Sequence, residues 1–130
     1  VGKEWTPETG AEFLKKAGRS YIKRITLVGG SPLCDRNVVD VNNLILKIRS
    51  QYPDKEIWVY TGYTWDEVVR DGGDEFSAAR LSILSNINIL VDGRFERDKR
   101  DLSLAFRGSS NQRIIDVPQT LKAGEVVLYR

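Results

Sequence analysis

The chain of 130 residues predicts an α/β fold, a mostly parallel sheet with crossover helices, and two observations carry that prediction. Three short runs dense in β-formers recur along the sequence, at Tyr21 to Val28, Ile57 to Tyr60 and Asn88 to Val91, each ending in a glycine-bearing turn. The segments between them switch to helical spacing. Strands joined through helices run parallel, with right-handed crossovers, and place their C-terminal ends along one rim. That rim is where open parallel sheets and (β/α) barrels take their ligands.

In chain order, Thr6-Pro7-Glu8 reads as a helix start, with Thr6 as cap and Pro7 at the first helical position, and Gly18 as the stop. The first strand ends at Gly29-Gly30-Ser31-Pro32. Val38, Val41, Leu44 or Ile45, Ile48 and Tyr52 then recur at helical spacing, with Asn37 as the expected cap and Pro53-Asp54 as the close. After the second strand and Thr61-Gly62, Thr64 can cap a helix carrying Trp65, Val68 and Val69. Arg70 to Ser77 reads as loop and Ala78 to Leu84 as further helical turns; the third strand stops at Asp92-Gly93. Glu96 to Ser110 is expected as a long ordered loop, and Arg113 to Val117 and Val126 to Tyr129 as two more strands separated by Pro118 to Gly124. No repeat or linker composition marks a boundary, so residues 1–130 are read as one domain.

Composition narrows the chemistry. A hydrophobic share of 41% can build one core. With no histidine there is no imidazole base, Ser-His-Asp unit or histidine metal site; with one cysteine, Cys34, there is no internal disulfide, CxxC pair or self-contained thiolate cluster site. The net charge of +2 comes from interspersed signs, and the basic group Arg94, Arg97, Lys99, Arg100 is broken by Glu96, Asp98 and Asp101. It reads as a solvated loop, with no nucleic-acid footprint. No apolar run approaches the roughly 20 residues that span a bilayer, and Val1 to Gly10 is too polar for a signal peptide, so a cytoplasmic protein without a membrane partner is expected.

The three strand ends are the candidate site. Gly29-Gly30 lets a ligand approach backbone amides and carbonyls, although a tight βα turn uses glycine in the same way. Neither GxxxxGK[ST] nor GxGxxG is present. Asp92-Gly93-Arg94 sets a carboxylate and a guanidinium two residues apart, on one side if the backbone is extended, where they suit a zwitterionic or hydroxyl-bearing ligand; a charged turn is the alternative. Cys34 lacks a histidine partner and reads as a small semi-buried filler rather than a nucleophile. Trp58 and Tyr60 read as core, Tyr63 and Trp65 as either packing or pocket-lining.

In series, "ITLVGGSPL", "IWVYTGYTWDEV", "INILVDGRF" and "FRGSSNQRIIDV" resemble the activating proteins of anaerobic (class III) ribonucleotide reductases, within the radical S-adenosylmethionine superfamily. The match frames about Ile25 to Val117, and "RGSSNQR" is its most distinctive segment. The resemblance implies a partial (β/α) barrel of the radical S-adenosylmethionine type, here without its N-terminal strand and cluster loop. It also implies reductive cleavage of S-adenosylmethionine at a [4Fe–4S] cluster, giving a 5′-deoxyadenosyl radical that takes hydrogen from a glycine of the reductase. The reductase large subunit and an electron donor such as flavodoxin are the implied partners. Gly29, Gly30 and Ser31 would meet the methionyl amino group, although many superfamily members carry an acidic residue where Ser31 stands. Thr61, Asp92 and Arg94 would sit beside the methionine and ribose portions, and Asn111 near the nucleoside or the partner.

The family holds its cluster on a CxxxCxxC motif that this chain does not contain, and Cys34 lies on the wrong segment to substitute. The expectation is that Val1 falls just downstream of that motif, and that these 130 residues alone bind no cluster and little S-adenosylmethionine. A cofactor-free binding or regulatory module contacting a glycyl-radical enzyme is the alternative. An unrelated flavodoxin-like nucleotide binder rests only on the glycine-bearing strand ends.

Overall fold

The computed structural model describes residues 23–28, 32–94, 96–101, 103, 107, 109 and 111–129. Its elements are β1 (Arg24–Leu27), α1 (Asp35–Gln51), β2 (Glu56–Tyr60), α2 (Trp65–Val69), α3 (Glu75–Leu84), β3 (Ile89–Asp92), a 3-10 turn (Arg97–Lys99), β4 (Arg113–Asp116) and α4 (Val117–Ala123). The strands form one sheet in the order β1-β2-β3-β4. β1 with β2 and β2 with β3 pair in parallel, each pair joined through helix, whereas β4 returns antiparallel to β3. The α/β class and the mostly parallel sheet are therefore as the sequence predicts.

Alternation along the strands divides the core. Ile25, Leu27, Ile57, Val59, Leu90 and Ile115 share one cluster with Val38, Val41, Leu44, Ile45 and Ile48 of α1 and Ile83 and Leu84 of α3. Trp58, Ile89 and Val91 form a second cluster on the opposite face, with Tyr60 and Ile114 against it and the Tyr129 ring edge-on to Trp58 at 5.4 Å. The apolar stripe expected on α1 is the stripe that is buried.

Several boundaries differ from the sequence reading. The helix expected over 6–18, and Tyr21 and Ile22 of the first strand, lie outside the described residues. α1 begins at Asp35, not after Asn37: Cys34 is its cap residue, and Asn37 is buried within the first turn with its Nδ2 3.4 Å from the Cys34 sulfur. α3 begins at Glu75, taking in residues assigned to loop, because the Asp74 carboxylate accepts the Ser77 amide at 2.8 Å and caps it. The segment from Pro118 to Gly124, expected as a connection, is helix. Asp116 caps it through the Gln119 amide, Pro118 lies in its first turn, and Gly124 ends it at φ 77°. Residues 126–129 form no full strand but follow β4 through a bridge between Ile115 and Leu128 and two backbone bonds. Among the described residues no helix is long and apolar enough to cross a membrane.

Candidate functional site at the strand ends

The C-terminal ends of β2 and β3 open into a cleft of about 560 Å³ lined by Gly62, Thr64, Glu67, Asp92, Gly93, Arg94, Glu96, Asn111 and Arg113. Its size is that of a small-molecule site, and its wall carries both signs of charge. Three of the sequence-predicted residues, Asp92, Arg94 and Asn111, meet there. Gly29, Gly30 and Ser31 lie outside the described residues. Thr61 is buried, its hydroxyl accepting the Tyr63 amide at 3.1 Å, so that Gly62 rather than Thr61 lines the cleft.

Asp92 is the last residue of β3 rather than part of the turn, and its carboxylate is fully engaged within the protein. Oδ2 accepts the Trp65 amide at 2.9 Å and Arg113 Nη2 at 2.7 Å; Oδ1 accepts the Arg113 amide and Nε, both at 3.2 Å. Asp92 and Arg113 stand opposite each other across the β3–β4 ladder, so the sheet register itself makes the pair. The carboxylate raises the Arg113 guanidinium above its usual value, chiefly through the hydrogen bond. Asp92 is thus a hub joining three elements. Of the two charges at this strand end, that of Arg94 is the exposed one.

The extended run assumed for Asp92 and Arg94 is broken between them, since Gly93 sits at φ 89°. A Cβ there would meet Asn111 Nδ2 at 3.5 Å, ordinary contact, so glycine is required by the backbone angle and not by space. Gly93→Ala is expected to cost about 1–2 kcal/mol, and Gly93→Asn, whose residue type tolerates this region better, less than half of that. Urea denaturation of the two variants checks it, and equal penalties would refute the assignment to backbone strain.

"RGSSNQR" proves to be the partner of "DGR". Asn111 Nδ2 donates to the Arg94 carbonyl at 2.7 Å while its Oδ1 accepts the Ser109 hydroxyl at 2.6 Å. Gln112 Nε2 donates to the Gly93 carbonyl at 3.1 Å while its Oε1 accepts the Ser109 amide, also at 3.1 Å. Both amides, and Arg113 behind them, face the third strand end.

The second strand end is fixed by a capping box. Thr64 Oγ1 accepts the Glu67 amide at 3.3 Å and Glu67 Oε1 accepts the Thr64 amide at 3.0 Å, as the predicted Thr64 cap requires. The backbone bond from Thr64, first among the causes, lowers the Glu67 pKa; bonds from Ser77 and Ser103 lower Asp74 and Asp101 likewise. Each depressed carboxylate contributes stability that is present above its unfolded pKa and lost as pH falls through its folded one. The thermal midpoint is therefore expected to fall on acidification through the carboxylate range. Glu67→Gln, which keeps an accepting oxygen but cannot titrate, should shallow that fall; an unchanged profile would contradict the cap.

Arg80 of α3 secures the segment that leads into α1. Its Nε donates to the Leu33 carbonyl at 2.8 Å, its Nη2 pairs with Asp35, and its guanidinium lies 5.5 Å from the centre of the Tyr63 ring. Tyr63 and Arg80 line a neighbouring recess of about 240 Å³, whereas Trp65, the other candidate for a pocket wall, is buried in the core. The residues that sequence reasoning missed here are Glu67, Glu96, Arg113, Gln112 and Arg80. The Thr64-x-x-Glu67 spacing was a readable signal for the first; contacts across strands or between helices define Arg113, Gln112 and Arg80, and Glu96 enters as part of the cleft lining.

A family model described as a 4Fe-4S single cluster domain matches residues 1–115, which sets the class: single-cluster iron–sulfur proteins. The anaerobic ribonucleoside-triphosphate reductase-activating protein of Escherichia coli K12 is 41% identical over 113 residues, 85% of this chain and 68% of that protein. The protein of the same name from Salmonella typhi is 39% identical over 113 residues, with the same coverage, and that of enterobacteria phage T4 is 31% identical over 113 residues, 87% of this chain and 65% of its own. The chain belongs to this family of anaerobic ribonucleoside-triphosphate reductase-activating proteins. No solved structure matches it.

The residues present do not fit a [4Fe–4S] cluster. Cys34 is the sequence's one cysteine, there is no histidine, and among the described residues no group of three or more His, Cys, Asp or Glu is placed to hold a metal ion. The Cys34 thiol is half-buried against Asn37.

Proposed function

We propose that these 130 residues form the S-adenosylmethionine-binding rim of an activase that installs the glycyl radical of an anaerobic ribonucleoside-triphosphate reductase, with the cluster cysteines supplied from outside this segment. The observation that carries this reading is the match to the activating proteins along 113 residues, 85% of the chain. The cleft supports it: S-adenosylmethionine is a zwitterion with a sulfonium and ribose hydroxyls, and a wall bearing Glu67, Glu96 and Arg94 offers acceptors and a donor. In this reading Gly29, Gly30 and Ser31 complete the rim from β1. Thr61 acts through its turn, and Asp92 shapes the wall without touching the ligand. The four-stranded sheet is then one part of a (β/α) barrel, working in the cytoplasm with a flavodoxin-type electron donor.

The test begins with the reading frame upstream of Val1, expected to encode CxxxCxxC within a few tens of residues. A protein that includes this motif, reconstituted anaerobically with iron and sulfide, should bind S-adenosylmethionine and produce a glycyl-radical electron paramagnetic resonance signal on the reductase. A natural protein without the motif that binds the reductase stoichiometrically and S-adenosylmethionine not at all would instead establish the cofactor-free module.

A further inference from the structure

We infer that Asn111 and Gln112 are positioning residues that aim the Arg94 guanidinium into the cleft, an inference that rests on the S-adenosylmethionine reading above. The two carbonyls they hold belong to the peptide groups on either side of the Arg94 Cα: Gly93 on one side at 3.1 Å, Arg94 itself on the other at 2.7 Å. Pinning two successive peptide planes fixes φ and ψ of the residue between them, and with these the direction in which its Cβ leaves the backbone. The Gly93 amide adds a third anchor through the Tyr63 carbonyl at 2.8 Å. Such anchoring is needed here because Gly93, at φ 89°, is the most permissive residue type and would otherwise let the strand end swing.

The amides are themselves held. Ser109 is fully buried and contacts both, its hydroxyl on Asn111 Oδ1 and its backbone amide on Gln112 Oε1, so each side chain presents its NH2 to a strand-end carbonyl. Asn111 also lines the cleft, but both polar atoms of its amide are spent on the Arg94 carbonyl and the Ser109 hydroxyl, so its effect on the ligand passes through Arg94. Arg94 is the contact residue, its planar fork suited to a carboxylate.

The measurement is equilibrium dialysis of S-adenosylmethionine against the full-length, cluster-loaded protein. Asn111→Ala and Arg94→Ala are each expected to weaken binding about tenfold, and the double variant about tenfold rather than a hundredfold, because a residue acting through another is non-additive with it. A hundredfold loss in the double variant would mean that Asn111 touches the ligand, and an unchanged affinity in Asn111→Ala would remove its role; either overturns the inference. Asn111→Asp, of the same shape without the NH2 donor, repeats the test should alanine impair folding. Amide hydrogen exchange gives a ligand-free arm. Protection of Gly93 should drop in Asn111→Ala and Gln112→Ala while that of Leu90 holds, and unaltered Gly93 protection would refute the brace. If the wild-type protein binds no S-adenosylmethionine, the functional reading fails and the exchange arm alone decides the brace.

Discussion

Asp92→Ala should lower folding stability by about 3 kcal/mol, because the Trp65 and Arg113 amides and the Arg113 guanidinium lose their shared acceptor. The carboxylate side chain is 2% exposed and the Arg113 side chain 42%. Removing the acid leaves the Trp65 amide without its buried acceptor, while Arg113 can still turn to water. Removing the arginine strands a buried carboxylate that keeps only the two backbone amides, so Arg113→Ala is also costly. The double variant should lose less than the sum of the two, by about 1–3 kcal/mol. The sign of the pH dependence follows from Arg113, whose pKa is raised in the folded protein by Asp92. Its contribution is fully present below the unfolded arginine value and is lost only as pH rises through the folded one, so the Asp92→Ala penalty should be flat between about pH 6 and 9. Urea denaturation at several pH values measures it. A loss below about 1 kcal/mol would show that Asp92 is not the hub of the strand ends.

The parts of the fold legible in the sequence are those written in local periodicity. Val38, Val41, Leu44, Ile45 and Ile48 announce the buried face of α1, and Ile57-Trp58-Val59-Tyr60 its neighbouring strand, because burial acts through spacing along one element. Thr64 was legible as a cap for the same reason, its partner Glu67 being three residues on. The helix after β4 was missed although Asp116, Pro118 and Gly124 carry its start and stop signals, since the apolar run of β4 continues into Val117 and hides the boundary. Asp92 and Arg94 were legible as strand-end residues. Their division of labour was not, because it depends on Trp65, Arg113 and Asn111, which approach from 27, 21 and 17 residues away. The distinctive "RGSSNQR" was recognisable as a string; that it grips "DGR" is a property of the antiparallel return of β4.

At the opposite rim, Arg49→Met should cost about 3 kcal/mol while leaving the S-adenosylmethionine affinity proposed for the cleft unchanged. Arg49, in the last turn of α1, donates five hydrogen bonds: two to the Asn86 carbonyl at 3.1 and 2.8 Å, one each to the carbonyls of Pro53 and Lys55 at 2.9 Å, and one to Asn88 Oδ1 at 3.0 Å. Those acceptors precede β2 and β3, and Asn88 Oδ1 also accepts the Ile57 amide at 2.8 Å, so one guanidinium sets the starting points of two adjacent strands. Burial lowers the Arg49 pKa, which is to say that desolvation opposes the charge and the five bonds must offset it. Methionine relieves that cost and fills similar volume, but leaves the carbonyls short of donors. Lysine keeps the charge with three donors on one nitrogen and cannot span acceptors on two loops, so Arg49→Lys should lose roughly half as much as Arg49→Met. Denaturation midpoints at unchanged slope measure both, with ligand affinity as the second readout. A lysine variant as stable as the wild type would mean that charge alone suffices at this rim, and a weakened ligand would mean that the two ends of the sheet are coupled.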